Sequence, residues 1–262
     1  MMAKAPGWKL ALAATLILAF LNLPTIVIML AAFSKTTYLT IPPQGWTLDW
    51  FRAVLNDASY LKAISTSLWL ATLATALSLI LGTAASYALH HRLIPGRDAI
   101  MSLIMAPLVF PAVVIGVALL QYVTMIGLRG HFFVLVLAHA IITLPYVVRS
   151  AMSSLTGINP QIEEAATVLG ANGFTAFRLV TLPIIKPGLV AGGIFSFVTS
   201  LDNVPVTIFL LTPRQTTLPV KIFGAVEHGV DPSIAAASTL MIAGTAVALI
   251  LAQRWVNFTR FF

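Results

Sequence analysis

Cysteine is absent from the 262 residues, so no disulfide framework, thiolate metal site or cysteine nucleophile is available. Charge is nearly as scarce. Only 9% of the residues are Asp, Glu, Lys or Arg, where an ordinary soluble domain carries about a quarter. Acids are the rarest, eight against fifteen Lys and Arg. An intramembrane enzyme would need paired acids, a metal set or a nucleophile with its base. The sequence has no H-E-x-x-H, no second acid beside Asp202 and no persuasive G-x-S-x-G. It also has no G-x-x-x-x-G-K-[ST] phosphate loop, so any ATP-driven work must be powered by another subunit. No stretch between the apolar runs is long enough to fold as a soluble domain.

Apolar residues make up 59% of the chain, and they fall in runs long enough to cross a bilayer, which takes about 20 residues. The runs predict an all-α polytopic membrane protein of six transmembrane helices in a single domain covering residues 1–262, with spans near 10–33, 63–89, 99–126, 132–152, 189–211 and 234–253. The first run is longer than the apolar core of a cleavable leader and reads as a retained span. Pro107 and Pro111 break the third. The net charge of +7 is not a nucleic-acid signal, because the basic residues are scattered at span ends, as anchoring on an anionic leaflet requires. With both termini cytoplasmic, Lys4, Lys9, Arg92, Arg97, Arg149, Arg178, Lys186, Arg254 and Arg260 lie inside. Lys35, Arg52, Lys62, Arg129, Arg214 and Lys221 lie outside. Residues 34–62 carry Trp46 and Trp50 in an external loop suited to the headgroup belt, and 217–230 predict a short amphipathic helix. His90 and His91 are adjacent, share no helix face and have no acid at ligand spacing, so no metal and no cofactor are expected. His139, alone in the fourth span, is expected to make an inter-helix hydrogen bond.

Two polar stretches interrupt the apolar pattern. The first runs from Asn159 to Pro187. Asn159 suits an N-cap, Pro160 the first helical position, and Glu163 and Glu164 the positive end of the dipole. Ile162, Ala165, Ala166 and Leu169 share one slim face, which suits insertion into a partner's groove. Gly170 can end the helix in a left-handed turn, and a second short helix is expected from about Phe174 to Val180, stopped by Pro183. The second stretch is Ser200-Leu201-Asp202-Asn203-Val204-Pro205 inside the fifth span. An acid there costs about 2.5–3.5 kcal/mol by insertion scales, and broken helices with polar groups at one depth are how transporters build sites. Ser200, Asp202 and Asn203 are therefore candidate substrate-pathway residues.

Glu164-Ala165-Ala166, then Gly170, then Val180-Thr181-Leu182-Pro183 resembles the EAA loop of binding-protein-dependent ABC importer permeases, with Val180 in the place of an isoleucine. The resemblance implies the type I ABC importer permease fold, a cytoplasmic coupling loop over 159–187, and contact with the ATPase through Glu163, Glu164, Ala165, Ala166, Gly170, Leu182 and Pro183. It also implies partners: two ABC ATPase subunits, a second permease, an external substrate-binding protein and membrane lipid, in the bacterial inner membrane. Nearly the whole chain further resembles the spermidine/putrescine branch, through Ser200–Asn203, Thr217-Leu218-Pro219-Val220-Lys221-Ile222 and Asp231-Pro232 to Met241. Polyamine members are expected to carry a second acid where Asn203 stands, so Asp202 would hold one ammonium group. A secondary transporter using Asp202 as an ion-coupling site is the competing reading.

Overall fold

The computed structural model describes residues 7–212, 215–229 and 231–254; Lys4, Arg214, Val230 and Arg260 lie outside them. Among the described residues the regular elements are helical. They are α1 (Trp8–Ala31), α2 (Asp49–Asn56), α3 (Ala58–His90), α4 (Arg97–Val109), α5 (Ala112–Met125), α6 (Phe132–Leu155), α7 (Pro160–Val168), α8 (Gly173–Ala176), a π-helical turn (Phe177–Thr181), α9 (Leu182–Leu201), α10 (Thr207–Leu210), α11 (Leu218–His228) and α12 (Pro232–Arg254). Five helical stretches are long and apolar enough to cross a membrane, and the α4–α5 pair makes a sixth if it counts as one span. Contacts divide the chain into two compact units, one of Met1–Leu61 with Ile222–Gly244, the other of Lys62–Lys221 with Thr245–Phe262.

In the first unit α1 exposes large apolar side chains along most of its length, Trp8 and Phe20 among them, as a lipid-facing helix does. Its C-terminal end is packed. Phe33 meets Phe51 at 4.9 Å between ring centroids. The Trp50 indole N–H donates to the Ser34 carbonyl at 2.8 Å. Trp50 is therefore a tie within the loop rather than a headgroup anchor, while Trp46 stays exposed.

The second unit is built on α6. Its Ala138, His139, Ala140, Ile142, Thr143, Val147, Val148 and Ala151 are all buried, so it is apolar and covered on most sides, as a central helix must be. Helix α9 packs along it through small residues. A Cβ on Gly192 would lie 2.9 Å from the Val147 Cα, and one on Gly188 would lie 2.7 Å from the Ser150 carbonyl. Without aqueous hydrophobic drive, such close backbone approach is the main source of helix association in lipid. Helix α3 is stitched to α6 by Ser78 Oγ, which donates to the Ala140 carbonyl at 3.1 Å, and by Ser86 Oγ, which donates to the Val148 carbonyl at 3.3 Å.

Three expectations are corrected. The third span breaks once, not at both prolines: α4 and α5 are bent by 108° at Phe110–Pro111, whereas Pro107 lies inside α4 without ending it. Phe110 is extended, as the residue before a proline is biased to be. The second short helix of the 159–187 stretch does not stop at Pro183: helix runs unbroken from Gly173 to Leu201. The π turn explains this. Leu182 N–H bonds the Phe177 carbonyl five residues back, and the widened turn gives the Pro183 ring room it lacks in a regular α-helix. The fifth helix is also displaced from 189–211: it continues directly from the π turn at Leu182 and ends at Leu201, and only the single turn α10 follows.

Candidate functional site

The 159–187 stretch forms a cap, a short helix, a turn and the start of a long helix. The Asn159 side chain accepts the Gln161 N–H at 3.1 Å and opens α7. Gly170 has φ +89°, the left-handed conformation its position requires, with nothing near a hypothetical Cβ. The Asn172 side chain then accepts the Thr175 N–H at 2.8 Å and opens α8. Glu164 and Ala165 face outward, and Ala166 is half-buried. Val168 and Leu169 are 87% and 88% exposed, and Phe174 is 72% exposed. The outward apolar surface is therefore carried by Ile162, Val168, Leu169 and Phe174 more than by the alanines.

The two glutamates differ. Glu163 turns inward and accepts a short hydrogen bond from the Thr181 hydroxyl, which is fully buried. The His91 Nε2 lies 3.2 Å from the other Glu163 oxygen, within ion-pair distance but off the line a hydrogen bond needs. The Tyr87 ring lies against His91 at 4.3 Å, tilted by 50°, and meets Phe177 edge-on at 5.0 Å. Glu163 thus braces α7 against the π turn and the end of α3, and Glu164 stays outside. The sequence carried no sign of the His91 and Thr181 contacts, because both are distant in the chain. Leu182 packs in the apolar cluster of Leu89, Val148, Met152, Leu155 and Ile185; Pro183 is exposed.

The second constellation is the break after α9. Asp202 ends the helix, its N–H bonded to the Val198 carbonyl. Its carboxylate is exposed and has no hydrogen bond or ion pair among the described residues. The Asn203 side chain accepts the Val206 N–H at 3.0 Å, and its carbonyl accepts a short bond from the Thr207 hydroxyl. His139 holds the two sides together. It is 0% exposed, with Nδ1 2.8 Å from Ser200 Oγ and Nε2 3.0 Å from Thr207 Oγ1. The inter-helix bond expected of His139 is present, and doubled. Ser200 is buried and bonded to His139 rather than presented to solute. Gly116 of α5 lies against the same break, where a Cβ would come within 2.8 Å of the Pro205 carbonyl.

A family model described as "Binding-protein-dependent transport system inner membrane component" matches residues 82–259. The chain belongs to that family. It is a multi-pass inner-membrane permease subunit of an ABC importer, not an enzyme, and ATP hydrolysis resides on a separate subunit. Permeases of this family work with ATPase subunits, a second permease and a substrate-binding protein. The chain is 30% identical over 239 residues to the spermidine/putrescine transport system permease protein PotC of Escherichia coli strain K12, covering 91% of this chain and 90% of the relative. It is 32% identical over 235 residues to the putrescine transport system permease protein PotI of the same strain, covering 87% and 83%. Its fold matches a bacterial ABC transporter involved in import of the acidic polysaccharide alginate, with a TM-score of 0.74, 17% identity and 96% of each chain covered. Nothing in these findings favours the secondary-transporter reading.

Proposed function

We propose that this permease forms half of the translocation pathway of a polyamine importer, and that Asp202 is the pathway residue that receives an ammonium group. The observation that carries this is the unpartnered Asp202 carboxylate, set at a helix break whose two sides are pinned by His139. PotC and PotI support the substrate class by their names. Asn203, committed to the Val206 N–H, leaves a single acid, so one ammonium of the solute is bound here and the rest elsewhere in the pathway. Coupling runs through 159–187, which faces the cytoplasm in this reading. Glu164, Ala165, Ala166 and Gly170 meet the ATPase together with the apolar rim of Val168, Leu169 and Phe174. Glu163, Leu182 and Pro183 transmit the push inward to α3 and α9. Both termini are cytoplasmic, and the whole chain acts as one permease domain.

The test is uptake of labelled spermidine and putrescine into proteoliposomes holding the permease pair, the ATPases and the binding protein. Asp202→Ala should lower ATP-dependent uptake at least tenfold, with the complex still assembled, because it removes the acceptor of a charge-assisted hydrogen bond from the ammonium group. Unchanged uptake and affinity would remove Asp202 from the pathway. Uptake driven by a proton gradient without the ATPases would overturn the coupling scheme.

A further inference from the structure

Away from the break and the coupling loop, α6 and α9 enclose a cleft of about 510 Å³. Helix α6 lines it with Tyr146, Arg149, Ser150, Ser153 and Ser154, and α9 with Phe195. The five α6 residues follow one another at i, i+3, i+4, i+7 and i+8, so they form a single stripe. This stripe is polar, whereas the neighbouring α6 residues Val147, Val148, Ala151 and Met152 are apolar and buried. Gly188 forms the base, where any side chain would strike Ser154 Oγ. Tyr146 and Phe195 close one end as stacked rings, 6.3 Å apart and 18° from parallel.

The polar groups of this cleft are unspent. Some hydroxyls in other helices, those of Thr15, Thr66, Thr124, Thr167 and Thr239, bond the carbonyl four residues back, while others, such as those of Ser65, Thr72 and Ser102, have no partner among the described residues. Among the described residues, the hydroxyls of Ser150, Ser153 and Ser154 bond nothing, and the Arg149 guanidinium has no hydrogen bond or ion pair. No acid lines the cleft. One guanidinium and several hydroxyls, all able to donate and none carrying negative charge, match a single ligand chemistry: an oxyanion held by the planar arginine fork. Leaving that set empty within a spanning helix is costly, so such groups face water or a partner.

We propose that the α6–α9 cleft binds the oxyanion of a phosphate or carboxylate group, with Arg149 as the fork and Ser150 and Ser153 as supporting donors. The group could come from a phospholipid headgroup or from a soluble anion; the recognition chemistry is the same. This inference does not rest on the polyamine reading, since the cleft repels a cation.

The test uses the assembled, delipidated complex, titrated with dioctanoyl phosphatidylglycerol, inorganic phosphate and acetate, and read by calorimetry and native mass spectrometry. Arg149→Gln should weaken binding tenfold or more, the loss expected for a charge-assisted hydrogen bond. Arg149→Lys should fall between wild type and Arg149→Gln, and Ser150→Ala with Ser153→Ala should weaken binding a few-fold. Saturable lipid binding that phosphate does not displace identifies a headgroup site. Binding of phosphate or acetate with the same Arg149 dependence identifies a soluble-anion site. Either result supports the proposal. Wild type that binds none of the three, as when the second permease fills the cleft, overturns it, and so does Arg149→Gln binding like wild type.

Discussion

Replacing His139 by alanine removes the one side chain that bonds both sides of the α9–α10 break. The consequences are unequal. The Thr207 hydroxyl keeps the Asn203 carbonyl as a partner, so it is not stranded. The Ser200 hydroxyl, 2% exposed, loses the partner it has in the fold, and a buried polar group left unpaired costs about 1–3 kcal/mol. Truncating a fully buried ring leaves a cavity that adds about 2–4 kcal/mol, by comparison with other large-to-small core changes. A total of about 3–7 kcal/mol is a large part of the 5–15 kcal/mol typical of a folded domain. The pairwise share is isolated by a cycle of His139→Ala, Ser200→Ala and the double variant. Its coupling should be about 0.6–1.7 kcal/mol, the range measured for hydrogen bonds between membrane helices. The assay is SDS-titrated unfolding in mixed micelles, run beside uptake in proteoliposomes. Ser200→Ala should leave the KM for solute unchanged, because its hydroxyl is spent on His139. A coupling energy of zero, or a KM shift in Ser200→Ala with unaltered stability, would refute the clamp and return Ser200 to the pathway.

The proposed coupling role of 159–187 gives two further pairs of contrasting variants. Glu163→Ala should destabilise the detergent-solubilised permease by about 1–3 kcal/mol, since it strands the buried Thr181 hydroxyl. Glu164→Lys should leave stability within about 0.5 kcal/mol of wild type, as surface changes do, while uncoupling ATP hydrolysis from uptake; the contrast is read by thermal unfolding beside ATPase and transport rates. Gly170→Ala should cost about 1–2 kcal/mol locally from its positive φ alone, and weaken ATPase co-purification. Gly173→Ala, with no left-handed strain and open space around it, should bind the ATPase like wild type.

What the sequence disclosed follows the range of the forces involved. The cap at Asn159, the turn at Gly170 and the break before Pro205 are set by residues within a turn of each other, and all three were legible. The passage of helix through Pro183 was not, because a proline rule assumes regular α geometry and the π turn alters the register just upstream. Nor could neighbouring Glu163 and Glu164 be told apart. Which of them turns inward depends on Thr181 and His91, brought close only by packing. His139 was flagged as a lone polar group in a span, yet its second partner, Thr207, lies beyond a break whose closure no periodicity encodes. In the sequence Arg149 marks only a return to the cytoplasm, since the cleft its stripe lines exists only once α9 packs on α6.

The bent α4–α5 pair decides the topology, and it can be tested directly. Helices of 13 and 14 residues rise about 20 Å and 21 Å at 1.5 Å per residue, so neither alone crosses a core of about 30 Å. Laid end to end with the 108° bend, they reach only about 24 Å. The pair must therefore cross a thinned or water-lined region, or return to the side it left. Between Gly7 and Thr167 lie α1, α3, this pair and α6. If the pair crosses, four passages place the N-terminus and the coupling loop on the same side; if it returns, three place them on opposite sides. Because the chain has no native cysteine, Gly7→Cys and Thr167→Cys each give an unambiguous label. Both should react with an impermeant maleimide only from the cytoplasmic side of sealed vesicles. Reaction from opposite sides would make the pair re-entrant and defeat the placement of both termini in the cytoplasm, and reaction of Thr167→Cys from outside would end the coupling-loop proposal itself.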